Sequence, residues 1–292
     1  MSEKCEIQMM MVQLLFKNKP QTPSTDTLRS ALEKYLGDLG NVPYAEPSQD
    51  MNNGVMFMFP LEKYKVVLKD APDGMPVMAS FLASNEQPCI KIDDFTRSQL
   101  WDVPNGNEII NECKYSVLIS TILGAALPYR DQAEVLLAQI AAALDCYTDC
   151  IGIYSVQSGK LITPEMFADF KGLSLSERFI KLFVNARFFR IPDTDEMIVD
   201  TLGFYAFGGA DVQVHFKGMD PNNVVRYVYN LASYQFDNDF VIENGETVDG
   251  LDKNGDIDMS LQWKVRYEKS LVKPERTVLD INCGEYAGGK RK

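Results

Sequence analysis

The sequence predicts an α+β protein, with antiparallel sheets carrying helices on one face, in two related or loosely similar parts. Three observations predict it. Strand-length apolar runs are interspersed with amphipathic helical stretches, without the sustained strand–helix–strand alternation of a doubly wound parallel sheet. Turn signals separate neighbouring strands, among them Asp70–Gly74, Gly208-Gly209 and Asn244-Gly245. The arrangement of strands around a helix then restarts after Lys171–Glu177, a stretch with Gly172, Ser174 and Ser176. That stretch is the expected linker between an N-terminal α+β part, 1–171, and a C-terminal α+β part, 178–292.

In the first part, Met9 to Phe16 reads as a buried strand. Ser24 or Thr25 caps a helix that runs to about Leu39, with Leu28, Leu32, Tyr35 and Leu36 on one face. Asn53-Gly54 precedes a strand from Val55 to Phe59. Tyr64–Lys69 and Met75–Ala83 flank the Asp70–Gly74 loop as a hairpin. Ser84 to Gly106 is polar and irregular and reads as a long loop with room for one helical turn. Tyr115 to Leu123 is a buried strand, and Asp131 with Glu134 has the spacing of a capping box for a helix reaching Leu144. Ile151 to Val156 is a strand, Ser158-Gly159 a turn, and Thr163-Pro164 opens a short helix.

In the second part, Phe179 to Ile191 alternates like a strand, followed by strands at Met197–Phe207 and Asp211–Phe216. Asp220-Pro221 opens a helix with Val224, Val228 and Leu231 on one face. Phe240–Glu243 and Thr247-Val248 surround Asn244-Gly245 as a hairpin. Met259–Tyr267 and Thr277–Ile281 close the chain as strands.

The 292 residues are 46% apolar and 24% charged, ordinary for a chain with a substantial core. Basic residues number 29 and acidic residues 41, a net charge of −12. The basic cluster Lys290-Arg291-Lys292 reads as a solvated tail. This balance disfavours nucleic acid and anionic membranes as partners and permits a basic protein partner. The most apolar run, Tyr115 to Leu127, is shorter than the roughly 20 residues that cross a bilayer. The chain opens on the polar Met1-Ser2-Glu3-Lys4-Cys5-Glu6, unlike a secretion leader. Its six cysteines contain no C-x-x-C pair, so reduced thiols in a cytoplasm are expected.

No catalytic constellation stands out. His215 is the one histidine, and alternation places it with Asp211 and Gln213 on the wetter face of its strand. It therefore lacks the companions of a multi-histidine zinc site. The glycines form neither a phosphate loop nor a dinucleotide fingerprint, and no cofactor is expected. Asp252, Asn254 and Asp256 occupy the first, third and fifth positions of a calcium-type loop. Ile257 and Trp263 stand where glycine and glutamate are required, so a hairpin turn on Asn254-Gly255 is the favoured reading. Paired carboxylates such as Asp93-Asp94 and Asp193 with Asp195 read as solvated without a partner to shift their pKa values.

Several segments of the second part carry a resemblance. Leu182-Phe183-Val184-Asn185-Ala186-Arg187, Asp200-Thr201-Leu202-Gly203-Phe204, Phe207-Gly208 and Asp211-Val212-Gln213-Val214 resemble a bacterial domain-of-unknown-function family, number 4261. The Asp220-Pro221 helix and the Asn244-Gly245-Glu246-Thr247 turn fit it as well, over about Phe179 to Gly250. The first part resembles the usual N-terminal companion of that domain in outline. The resemblance implies a bacterial cytoplasmic protein and carries no catalytic residues with it.

The leading expectation is a non-enzymatic binding or regulatory protein, of an immunity-like kind, that engages a protein partner. The alternative is an enzyme or small-ligand binder with a site at the junction of the two parts, lined by Arg187, Arg190, Tyr205 and His215. No motif sets an oligomeric state.

Overall fold

A computed structural model describes residues 9–40, 54–84 and 90–289. The chain divides into two compact units, Gln8–Leu182 and Phe183–Lys292. The architecture is α+β, with two six-stranded sheets, one antiparallel and one mixed, and seven α-helices among the described residues.

The N-terminal unit begins with β1 (Met11–Phe16), α1 (Thr25–Leu36), β2 (Gly54–Leu68) and β3 (Ala71–Ser84). It continues with α2 (Asp94–Arg97), α3 (Gly106–Glu112), β4 (Tyr115–Ile122) and α4 (Tyr129–Cys146). Next come β5 (Gly152–Ser155), β6 (Lys160–Ile162), α5 (Pro164–Asp169) and α6 (Leu175–Phe183), whose last residue passes into the next unit. The sheet order is β2-β3-β4-β1-β5-β6, antiparallel throughout.

The apolar residues Val12, Leu14 and Phe16 of β1 point to the face that α4 covers, beside Val117 and Ile119 of β4. On the same face Thr121 donates to Gln139 Oε1 of α4 at 2.6 Å, and Gln139 Nε2 donates to the Ser120 carbonyl at 2.9 Å. Gln139 is thus satisfied in a buried position, as a polar side chain in a core must be. Leu15 points the other way, into a smaller cluster with Leu100, Val103, Ile109 and Leu161.

Local signals account for several boundaries. Ser24 Oγ accepts the Thr27 N–H at 3.1 Å at the start of α1, and Gly37 ends that helix at φ 82°. Thr163 caps α5 with Pro164 in its first turn. The turn between β2 and β3 is tighter than expected, at Lys69-Asp70, and Gly74 lies within β3. The segments read as separate strands at Val55–Phe59 and Tyr64–Lys69 form one irregular strand, because the register shift between Leu61 and Lys65 absorbs the break. The turn expected at Asn53-Gly54 includes Asn53, outside the described residues.

Asp131 and Glu134 do not form a capping box. The helix begins earlier, at Tyr129, behind Pro128 at φ −52°, so Asp131 lies inside the first turn. A capping box occurs instead at Ser174 and Glu177. Ser174 Oγ accepts the Glu177 N–H at 3.3 Å, and Glu177 Oε2 accepts the Ser174 N–H at 3.3 Å. The residues read as a linker therefore start α6. The strand expected over Phe179–Ile191 is helical as far as Phe183 and extended only from Asn185. Phe179, Ile180, Leu182 and Phe183 are buried together, and both periodicities bury such a run.

The C-terminal unit comprises β7 (Asn185–Arg190), β8 (Glu196–Leu202), β9 (Asp211–Lys217) and α7 (Pro221–Asp237). It closes with β10 (Thr247–Leu251), β11 (Ile257–Lys269) and β12 (Thr277–Asn282). The order is β10-β11-β12-β9-β8-β7, with β12 and β9 parallel and the other pairs antiparallel. Helix α7 is capped by Asp220, whose Oδ1 accepts the Asn222 N–H at 2.8 Å. It lays Val224, Val228 and Leu231 on Val199, Val212, Val214, Val265, Leu279 and Ile281 of the sheet.

β8 stops at Leu202, short of the expected Phe207, because residues Phe204–Phe207 coil into a 3-10 turn behind Gly203 at φ 150°. Phe240–Glu243 is not a strand. Asn244-Gly245 does turn, but β10 pairs with β11 through the later turn at Asn254-Gly255. Cys146, Cys150 and Cys283 are free thiols, whereas Cys113 is disulfide-bonded. The expectation of reduced thiols is corrected there, since cysteine spacing does not report which side chains meet in space.

Candidate functional site

The face of the C-terminal sheet opposite α7 carries a row of polar residues along one register line. Arg187 of β7 stands opposite Asp200 of β8, Asp200 opposite Gln213 of β9, Gln213 beside Asp280 of β12, and Asp280 opposite Arg266 of β11. Alternation marks Asp211, Gln213 and His215 as the wet face of β9. They are in fact 0%, 1% and 9% exposed. Charge partners from other strands explain the reversal.

Arg187 forms a fork on Asp200, with Nε to Oδ1 at 2.9 Å and Nη2 to Oδ2 at 2.6 Å. Arg276, from the β11–β12 connection, donates to Asp200 Oδ2 at 2.8 Å and to Asp211 Oδ2 at 2.8 Å. Asp211 Oδ1 also accepts from the Thr201 hydroxyl and the Phe204 N–H, which fixes the turn after β8. Arg276 further donates to the Thr201 carbonyl at 2.7 Å, and Arg187 to the Lys273 carbonyl at 2.7 Å. Gln213 donates to Asp280 and accepts the Leu271 N–H. The β11–β12 connection is thereby tied across the polar face.

Burial raises the pKa of Asp211, with Arg276 opposing it. Desolvation disfavours the Arg276 cation, and Asp211 and Asp200 more than offset that, leaving its pKa above the ordinary value. These charges are held by multiple bonds within the fold, which is the condition for keeping ions out of water.

The four residues named as ligand candidates all lie in this unit. Arg187 is inside the ion network. Tyr205 is half-buried in the turn after β8; desolvation raises its phenol pKa, with Asp211, Arg276 and Arg187 among the charges acting on it. Arg190 is exposed at the end of β7. His215 lies farther along β9, 2.9 Å from Glu196 Oε2, and that same oxygen accepts the Gly289 N–H at 3.0 Å. The chain at Gly288 packs so closely on the His215 ring that a Cβ there would collide with it.

Asp252, Asn254 and Asp256 form the hairpin between β10 and β11. Asp252 Oδ1 accepts the N–H groups of Asn254 and Asp256 at 2.8 and 2.9 Å, and Gly255 takes φ 84°. These bonds, foremost the one from Asp256, lower the Asp252 pKa. Among the described residues no group of three or more His, Cys, Asp or Glu is placed to hold a metal ion.

A feature absent from the sequence reading lies between α7 and the edge strand β10. It is a groove of about 790 Å³ lined by Leu231, Tyr234, Val241, Val248 and Ile257, with Glu246 and Asp249 beside them. Tyr227 forms its inner wall; its hydroxyl donates to the Asp249 carbonyl at 2.7 Å, and its ring meets Trp263 edge-on. Tyr234, Val241 and Ile257 are each half exposed or more, at 50%, 52% and 55%. The stretch from Tyr234 to Asp258 contains eight carboxylates and one lysine.

The fold and this surface define the C-terminal unit as an α+β domain with a buried ionic framework and an acidic, partly apolar groove. Residues 200–282, from within β8 to the end of β12, match a family described as a domain of unknown function, DUF4261. The match includes Asp200, Asp211, Arg276 and the groove, and begins after Arg187. No curated protein and no solved structure matches the chain.

Proposed function

We propose that this chain is a non-enzymatic binding protein of the bacterial cytoplasm, regulatory or immunity-like, whose C-terminal unit holds a basic and partly apolar polypeptide segment of a partner. The observation that carries this reading is the groove between α7 and β10. Its exposed Tyr234, Val241 and Ile257 supply apolar area, and the surrounding carboxylates supply charge complementary to lysine and arginine. The overall charge of −12 extends the same field and opposes phosphate backbones. No helix among the described residues is long and apolar enough to cross a membrane. The resemblance to a bacterial family supports the cytoplasmic assignment.

The test uses fluorescence anisotropy with a labelled peptide of alternating Lys and Leu, and a Glu/Leu peptide of equal length. The Lys/Leu peptide is expected to bind and to weaken with added salt. Tyr234→Ser with Val241→Ser, and separately Glu246→Gln with Asp249→Asn, are each expected to weaken it about tenfold. Equal affinity for the two peptides, or binding untouched by both pairs of substitutions, would sink the proposal, as would no binding at all.

A further inference from the structure

The N-terminal unit contains a separate cavity of about 530 Å³, within the size range of small-molecule sites. Its walls come from α4, α5 and α6 and the chain following α4. Leu137, Ala141, Leu144, Phe167 and Leu175 make it predominantly apolar. Two polar side chains line it with unmet bonding capacity. The Tyr147 hydroxyl is buried without a hydrogen-bond partner, on a residue 1% exposed. The Arg178 Nε is also buried without a partner, and the guanidinium stacks over the Phe167 ring at 4.7 Å.

Buried polar atoms are nearly always bonded, so two unmet donors lining one apolar cavity require explanation. The carboxylates around the cavity do not supply it. Asp145 is taken by Lys34 at 2.7 Å and by the Tyr35 hydroxyl at 2.9 Å, and Glu134 faces Lys63. Arg178 makes no ion pair with any of them. Desolvation lowers its pKa, which is the direction expected of a cation held without a counter-charge.

We infer that this cavity is a binding site for a small amphipathic carboxylic acid, whose carboxylate pairs with Arg178 and whose apolar aryl or alkyl body lies against Leu137, Leu144 and Phe167. The guanidinium fork suits a planar carboxylate. Arg178 and Lys171 are the cations that line the cavity, and Glu134, Asp145 and Asp149 beside them weigh against the second charge of a phosphate monoester. The Tyr147 hydroxyl offers a donor to a second ligand oxygen. The site is independent of the groove in the C-terminal unit.

The test is isothermal titration of the full chain with 4-phenylbutyrate, decanoate, 4-phenylbutyramide and 4-phenylbutylamine. The two acids are expected to bind, and the amide and amine of matching body to bind at least about tenfold more weakly. Arg178→Met is expected to abolish the preference for acid over amide, and Arg178→Lys to retain part of it. A readout on the unaltered protein guards against misfolding of the variants. Cys150 lines the same cavity, so the acids are expected to slow its alkylation at pH 9 and the amide to leave it unchanged. Equal binding of acid and amide, acid preference surviving in Arg178→Met, or no binding of either acid up to about 5 mM would each overturn the inference.

Discussion

Arg276 and Asp211 meet at 2.8 Å inside the C-terminal unit, 65 positions apart in the chain and both buried. The contact joins the β11–β12 connection to the first residue of β9. Asp200 is the third member, so one guanidinium balances two aspartates while Arg187 forks onto the second. Removing one partner leaves a buried charge without compensation, which typically costs about 3–5 kcal/mol. Arg276→Met is therefore expected to lower the stability of the C-terminal unit by that order in urea unfolding. Arg276→Lys is expected to recover only part of it, because an ammonium lacks the fork that reaches both carboxylates and the Thr201 carbonyl. A loss below about 1 kcal/mol for Arg276→Met would show that the network is not a framework of the fold.

Glu196 gives a pH dependence with a defined sign. Its carboxyl pKa is held below 4.5, first by the Gly289 N–H and then by His215. A group depressed in the folded state stabilises fully above its unfolded pKa and loses that contribution as pH falls through the folded value. Glu196→Gln is thus expected to flatten the stability curve between about pH 5 and pH 3 and to change its slope little above that range. Urea midpoints measured across these pH values check it, and a change confined to pH above 6 would contradict it.

Cys150 is a free thiol whose pKa burial pushes up to about 11. The thiolate is the nucleophile, so its native-state alkylation by iodoacetamide is expected to be slow at pH 8 and to climb about tenfold per pH unit toward the pKa. Peptide mapping separates it from Cys146. A rate that levels off near pH 9 would show a solvated thiol instead.

The capping box at the start of α6 orients the helix that carries Arg178. Ser174→Ala removes the acceptor for the Glu177 N–H and is expected to destabilise the N-terminal unit by about 1 kcal/mol. The same substitution is expected to weaken acid binding in the cavity, and Ser174→Thr, which keeps the hydroxyl, to restore it. Stability by urea and affinity by titration read the two effects separately.

Residues with a local cause were legible in the sequence. Ser24, Thr163 and Asp220 cap helices because their side-chain oxygens reach N–H groups two or three positions on. The apolar face of α7 follows helical spacing, and Asn254-Gly255 turns because glycine accepts positive φ. The class of fold follows from these signals together. The spacing Ser174-x-x-Glu177 was equally local and would have announced α6, but its setting among small residues resembles a linker.

What tertiary structure decided was which polar residues are buried, and with what. Asp211, Gln213 and His215 alternate on β9 as a solvated face would. Their burial depends on Asp200, Asp280, Arg276 and Glu196, which belong to other strands and to a connection, up to 67 residues away. Periodicity along one strand carries no information about the charge placed opposite it. The same holds for the two candidate sites. The groove needs α7 beside β10, and the cavity needs α6 folded against α4 and α5, so Tyr234 and Arg178 acquire their surroundings only when separate elements pack.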